Sequence, residues 1–256
     1  MSRNRAWLTI ILTLIGLYFC LWSLLDYYRL GYESQSKYDS LAAMLQTMPT
    51  EPLTTATDPA FPATGENLSE YQILLDWNPD FVGWLEIEGT TVRYPVVQTP
   101  DDPEAYLYRH FDGTESTRGC IFADGSCDVD LSDNITLYGH NMKDGTMFAD
   151  LIRYENSAFC QAHPTIRFDS LTERRTYRVF AVFRTTAIAG EGFAYHQFTD
   201  ARNEADFNAF IDHILAISLY STDITPQYGD QVICLSTCES YEDHERFVVA
   251  AVLDSE

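Results

Sequence analysis

Cys238, Arg246 and His140 are the residues whose types and neighbours could combine into one piece of chemistry. The run Val232-Ile-Cys-Leu-Ser-Thr-Cys238-Glu-Ser240 reads as a buried strand, through Leu235, with a polar, solvent-facing end that carries a thiol. Arg246 follows eight residues after Cys238 and opens a second β-rich run, Phe247–Leu253. A thiol at one strand end beside a guanidinium at the head of the next makes a nucleophile next to a fixed positive charge. Cysteine attacks as its thiolate, so a base, or an imidazolium that holds the anion, has to complete the set. His140 directly follows the β-rich run Asn134–Gly139, which leaves its imidazole at a mouth rather than in a core. His244 is the rival by proximity, but its segment carries Glu239, Glu242, Asp243 and Glu245 and reads as a solvated turn. His110, His163, His196 and His213 are expected at the surface or the core edge.

Tyr138-Gly-His140-Asn-Met-Lys-Asp-Gly-Thr-Met-Phe148, Leu235-Ser-Thr-Cys238 and the downstream Arg246, in that order, resemble the sortases, class B in particular. Asn78-Pro-Asp-Phe-Val-Gly-Trp84 and Tyr94-Pro-Val-Val-Gln98 share the resemblance, which covers about Leu68 to Leu253. It implies a cysteine transpeptidase that needs no metal or organic cofactor. Cys238 would attack the Thr-Gly carbonyl of a surface protein's sorting signal, Arg246 would steady the oxyanion, and His140 would protonate the leaving amine. The same imidazole would then deprotonate an acceptor amine of the peptidoglycan cross-bridge or its precursor. Only a fraction of the enzyme is expected to hold thiolate and imidazolium together. Glu239 opposes formation of the thiolate, whereas a charged His140 favours it.

Ser236, Thr237 and Glu239 flank the nucleophile and are expected to touch the peptide. Leu107 and Asp102 are further candidates, on a loop after Gln98 that departs from the class B pattern by an added residue. Two alternatives stay open: a pilin-polymerising sortase with a lysine acceptor, and a catalytically silent wall-binding barrel. Asp58-Pro-Ala-Phe61 only approximates the lid motif of the former, and the intact Cys, His and Arg oppose the latter. Zinc is the competing chemistry, but Cys234-x3-Cys238 and Cys160-x2-His163 lack the paired spacing of a zinc site.

The elements that must position these groups follow from the rest of the chain. Its 256 residues, 46% hydrophobic and 14% aromatic, suffice for one sizeable core and an appendage. The net charge of −22 repels nucleic acid. Residues 1–5 carry Arg3 and Arg5, and 6–25 contain no charge. Twenty residues rising about 1.5 Å each span ~30 Å, the hydrocarbon thickness of a bilayer. By the positive-inside tendency the basic end is expected in the cytoplasm and the remainder outside. The run is expected to be an uncleaved transmembrane anchor rather than a signal peptide, since it is longer than a usual h-region and no small-x-small cleavage site follows it.

Residues 26–66 are read as a stalk helix with Tyr38, Leu41, Ala42 and Leu45 at helical spacing, then a Pro/Thr-rich linker. Phe61-Pro-Ala-Thr-Gly65 in that linker resembles a sorting signal. Neither the apolar span nor the basic tail of a true signal follows it, so linker composition is the reading, with self-recognition the alternative.

Residues 67–256 are expected to form the extracellular catalytic domain that the resemblance implies. A short helix, Asn67–Trp77, precedes strands at Val82–Glu88, Val92–Gln98, Gly119–Ala123, Ile135–Tyr138, Thr165–Phe168, Arg175–Arg184, Gln231–Leu235 and Phe247–Leu253. Short strands with long connections indicate a mainly β fold, a closed barrel of about eight strands. Phe207, Phe210, Ile211, Ile214, Leu215 and Ser218 mark a long helix before the cysteine strand, where the resemblance implies one. Cys234 alternates onto a buried face, and a Cys120–Cys127 bridge stays open.

Overall fold

The computed structural model describes residues 3–47, 68–188, 190–240 and 244–254, with backbone alone at 3–6, 46–47, 69 and 238–240. The Pro/Thr-rich linker, its Phe61–Gly65 motif and residues 241–243 of the acidic turn lie outside the described residues. Eight strands close a barrel: β1 Phe81–Glu86, β2 Arg93–Val97, β3 Ile121–Ala123, β4 Asn134–Gly139, β5 Thr165–Ser170, β6 Arg174–Thr186, β7 Val232–Ser240 and β8 Glu245–Leu253. Their order around the barrel is β1-β2-β3-β4-β7-β8-β6-β5. The pairs β2–β3 and β4–β7 are parallel, the others antiparallel. β7 runs five residues beyond the Leu235 boundary expected from hydrophobicity. Its polar end stays in the ladder because β8 begins early enough to pair with it, with Ser240 opposite Glu245.

Alternation along β7 and β8 builds two cores from one pair of strands. Ile233, Leu235, Phe247, Val249 and Ala251 fill the barrel, while Val232, Cys234, Val248 and Ala250 face outward. In β6 a register shift between Val179 and Ala181 sends the consecutive Phe180 and Ala181 to the outer side. Helix α4, Glu204–Ile217, covers that outer face with Phe207, Phe210, Ile211 and Ile214, all buried. Its start is fixed by Asn203, whose side chain accepts the Asp206 N–H, and Glu204 and Asp206 complement the helix dipole. Two further short α-helices among the described residues are α2, Gln72–Trp77, and α3, Ser157–Ala162.

Helix α1 runs without a break from Arg3 to Thr47. Its side chains from Trp7 to Leu25 are exposed, and an 18-residue window within it has a mean hydropathy of 2.3. Beyond Leu25 the helix lies on the barrel and buries Gly31, Ser34, Tyr38, Leu41 and Ala42, a stripe at three- and four-residue steps. The helix read from the sequence as a stalk is therefore docked along its length. Tyr38 donates to the Gly119 carbonyl at 3.0 Å, and Lys37 pairs with Asp112 at 2.8 Å.

His110, expected at the surface or core edge, is buried under this helix with Nδ1 3.0 Å from the Tyr38 hydroxyl. The Tyr38 proton goes to Gly119, so His110 donates through Nδ1–H. Burial, then the charges of Lys37 and Arg118, lower the His110 pKa below 6.5, against the opposing pull of Asp112. The unfolded chain binds this proton more readily, so the stabilisation is complete above about pH 6.5 and is lost as pH falls below it. The thermal midpoint should drop more between pH 7.5 and 5.5 in the native chain than in His110→Asn, which keeps a donor near Nδ1 but does not titrate. Equal drops in the two proteins would disprove the assignment.

Candidate active site

The barrel register brings the sequence candidates together. Parallel pairing of β4 with β7 ends at Gly139 opposite Thr237, so His140 and Cys238 are each one residue past that rung. On the other side of β7, Cys238 is the antiparallel partner of Arg246. Neighbouring strands lie about 4.8 Å apart, which puts the three backbones within roughly 10 Å across the same end of the barrel. His244 lies in the turn between β7 and β8 with φ 53°, exposed.

His140 leaves the sheet because β4 cannot continue. A Cβ at Gly139 would lie 2.5 Å from Ile121 Cδ1 and 2.8 Å from the Phe148 ring, so the strand end packs tightly there. The chain then turns outward, and the loop closes through Phe148 N–H donating to the His140 carbonyl at 2.9 Å and an Asn141–Met147 bridge. The half-buried imidazole places Nε2 2.8 Å from the Leu107 carbonyl. A carbonyl only accepts, so the neutral ring carries its proton on Nε2 and leaves the Nδ1 lone pair available. Tyr108 packs on the ring at 5.7 Å, tilted by 35°.

A cleft of about 330 Å³ opens here, lined among others by Leu107, His140, Tyr195, Thr237 and Arg246, with Glu104 also on its wall. Ser236 is buried and accepts from the Tyr195 hydroxyl at 2.6 Å. Tyr138 donates to Asp124 at 2.7 Å. Burial, then the neighbouring Tyr195 and Asp124, push the Tyr138 pKa far above its ordinary value, so it remains a donor at all physiological pH. The Thr237 hydroxyl is buried and finds no partner among the described residues. Asp102 is exposed and lines a neighbouring cleft of about 730 Å³ between α1 and the β2–β3 connection, which shares Glu104 with the first. Tyr195, His196, Thr186 and Ala187 line the candidate site without having been singled out for it. They come from the end of β6 and the connection to α4, where no motif marks them.

The profile of the sortase domain matches residues 85–254 of this chain. Sortase B of Listeria monocytogenes is 35% identical over 183 residues, 71% of this chain and 72% of that protein. The chain belongs to the sortase family. Sortase B of Staphylococcus aureus is 32% identical over 185 residues, 71% of this chain and 73% of that protein. Sortase B from B. anthracis in complex with AAEK1 superposes with a TM-score of 0.73 at 29% identity, covering 90% of this chain and 100% of that one. The Staphylococcus aureus sortase B–substrate complex gives 0.70 at 28% identity, covering 87% and 94%. This sortase is thus a cysteine transpeptidase of class B.

The other thiols of this sortase's barrel are unsuited to attack. Cys120 and Cys127 form no bridge with each other: both are free and buried. Cys120 points its sulfur at the Pro95 carbonyl of β2 and Cys127 at the Asp124 carbonyl of its own turn, so neither thiol is aimed at the other. Burial raises the Cys120 thiol to about 12 and the Cys127 thiol to about 11, and it also pushes Cys160 and Cys234 up. None of these supplies thiolate near neutrality.

Proposed function

We propose that Cys238, His140 and Arg246 carry out sorting-signal transfer, and that the Thr-Gly bond is the one cut. The observation that carries this reading is the register, which sets Cys238 between the strand ends bearing His140 and Arg246. The Cys238 thiol proton passes to the His140 Nδ1 lone pair, the sulfur adds to the threonine carbonyl, and the resulting oxyanion is stabilised by the forked donors of Arg246. Collapse expels the glycine amine, which takes a proton from His140, and leaves a thioacyl enzyme. An acceptor amine then loses its proton to the His140 lone pair and attacks the thioester, releasing the thiol and forming the new amide.

Thr237 supports the peptide-binding reading, because a substrate amide would satisfy its buried hydroxyl. Leu107 contributes twice, through its side of the cleft and through the carbonyl that fixes the imidazole. Ser236, two residues before Cys238, shapes the wall through Tyr195, while Glu239 flanks the nucleophile on β7. Asp102 bears on the peptide only through the adjoining cleft. The apolar part of α1 is the membrane anchor, with Arg3 and Arg5 on the cytoplasmic side and the barrel outside. The acceptor is a peptidoglycan amine and the donor a secreted surface protein.

Incubating the full chain in detergent with peptides of Asn-Pro-x-Thr-Gly type, triglycine and a lysine-containing peptide tests this. Mass spectrometry should show a thioacyl adduct on Cys238, peptide cut between Thr and Gly, and ligation to triglycine. Ligation to the lysine peptide alone would reassign the acceptor, and cleavage at another bond would sink the Thr-Gly assignment.

A further inference from the structure

The loop that carries His140 is held by the helix that leaves the membrane, through two separate straps. In the first, Asp144 organises the loop from within: its Oδ1 accepts from the Thr146 hydroxyl at 2.7 Å and the Thr146 N–H at 3.2 Å. Its Oδ2 accepts from Arg118 Nη2 at 2.6 Å and Nε at 3.2 Å. The same Nη2 donates to the Tyr27 carbonyl of α1 at 2.9 Å, and the guanidinium lies over the Tyr27 ring at 5.0 Å. This ion pair is almost wholly buried, 2% and 5% exposed at the two side chains.

In the second strap, Met147, held at φ 57°, donates its N–H to the Tyr94 hydroxyl at 2.9 Å. Tyr94 in turn donates to Gln35 Oε1 of α1 at 2.8 Å. Tyr27 and Gln35 sit four residues either side of Gly31, on one stripe of the helix. A Cβ at Gly31 would overlap the Asp144 carboxylate and come within 2.9 Å of Arg118 Nη2. Only glycine lets the helix approach the loop this closely.

We infer that the stripe Tyr27–Gly31–Gln35 of α1, with Arg118, Asp144 and Tyr94, positions His140 for catalysis. The membrane-leaving helix is then part of the catalytic architecture and not only a tether. This rests on the reading of His140 as the proton-transfer group. Among the described residues the segment Asn141–Met147 has no strand partner beyond its own bridge. Without the straps the loop would keep the Phe148–His140 hydrogen bond, the Asn141–Met147 bridge, the Nε2–Leu107 contact and the Thr91 hydroxyl bond to the Gly145 carbonyl, none of which ties it to α1. A displacement of the imidazole by about 1 Å is enough to cost on the order of a hundredfold in rate.

The test uses the full chain in detergent, with a quenched-fluorescent Asn-Pro-Gln-Thr-Gly peptide and triglycine, and the pH profile of Cys238 alkylation by iodoacetamide followed by mass spectrometry. Alanine is the better helix former, so Gly31→Ala would raise the thermal midpoint if the glycine had no positional role. We expect instead at least about a tenfold fall in kcat with KM within about twofold, and an alkylation profile moved toward that of His140→Ala. Gln35→Ala, which cuts the second strap at a half-exposed position, should move both readouts the same way by a few-fold. Gly16→Ala makes the same change on the same helix where nothing lies within 4 Å, and should match the native chain. The inference is overturned if Gly31→Ala and Gln35→Ala keep native kcat and native alkylation profiles while His140→Ala is impaired. If His140→Ala itself behaves as the native chain, the assignment of His140 fails, and this inference falls with it.

Discussion

Cys238→Ala should lose both cleavage and transfer, with kcat/KM for a sorting-signal peptide down on the order of 10⁴-fold or more. The loss is this large because no other described thiol of the barrel can take over: Cys120, Cys127, Cys160 and Cys234 are buried, with their ionisation suppressed by that burial. Cys238→Ser should be nearly as impaired, since a hydroxyl ionises far less readily than a thiol. The check is single-turnover cleavage with mass detection of the covalent intermediate. Transfer persisting in the alanine variant within tenfold of native would remove Cys238 from the mechanism.

Arg246→Lys is expected to lower kcat/KM by about a hundredfold or more, about 3 kcal/mol of transition-state stabilisation. Charge is kept in this substitution, so the effect isolates geometry. The planar fork offers two parallel donors to an oxyanion or a peptide carbonyl, and the ammonium offers one mobile point charge. Arg246 is well placed for the fork because it is the ladder partner of Cys238 and its side chain lines the cleft. If the contribution is to the oxyanion, kcat falls while KM changes little; if it is to ground-state peptide binding, KM rises. Full activity in the lysine variant would show that Arg246 acts only as a charge.

The barrel was legible because hydrophobic alternation is a local signal: all eight strands lie where β-rich runs were read, with ends shifted by a few residues. The largest shift, at β7, occurs where pairing rather than hydrophobicity extends the strand, as a polar stretch cannot reveal its partner. Cys238, His140 and Arg246 were readable as a set through their flanking motifs. The Leu107 carbonyl that fixes the His140 tautomer is a backbone atom and leaves no trace in residue type. Tyr195 and His196 reach the cleft from a connection without periodicity. The burial of His110 depended on α1 folding back over it, a contact between segments 72 residues apart that composition cannot announce.

Closure of the barrel decides how cargo can be chosen. With each of the eight strands paired on both sides, the frame offers a visiting peptide no open edge on which to lie as an additional strand. Selectivity then falls to the side chains lining the cleft, and beyond strand-borne ones such as Tyr138 and Thr237 those come from the irregular connections rimming it, above all 98–120 and 190–203. Those segments can diverge without disturbing the ladder that aligns the reacting groups, so a change of clientele can arise by remodelling the rim while the chemistry beneath stays as it is.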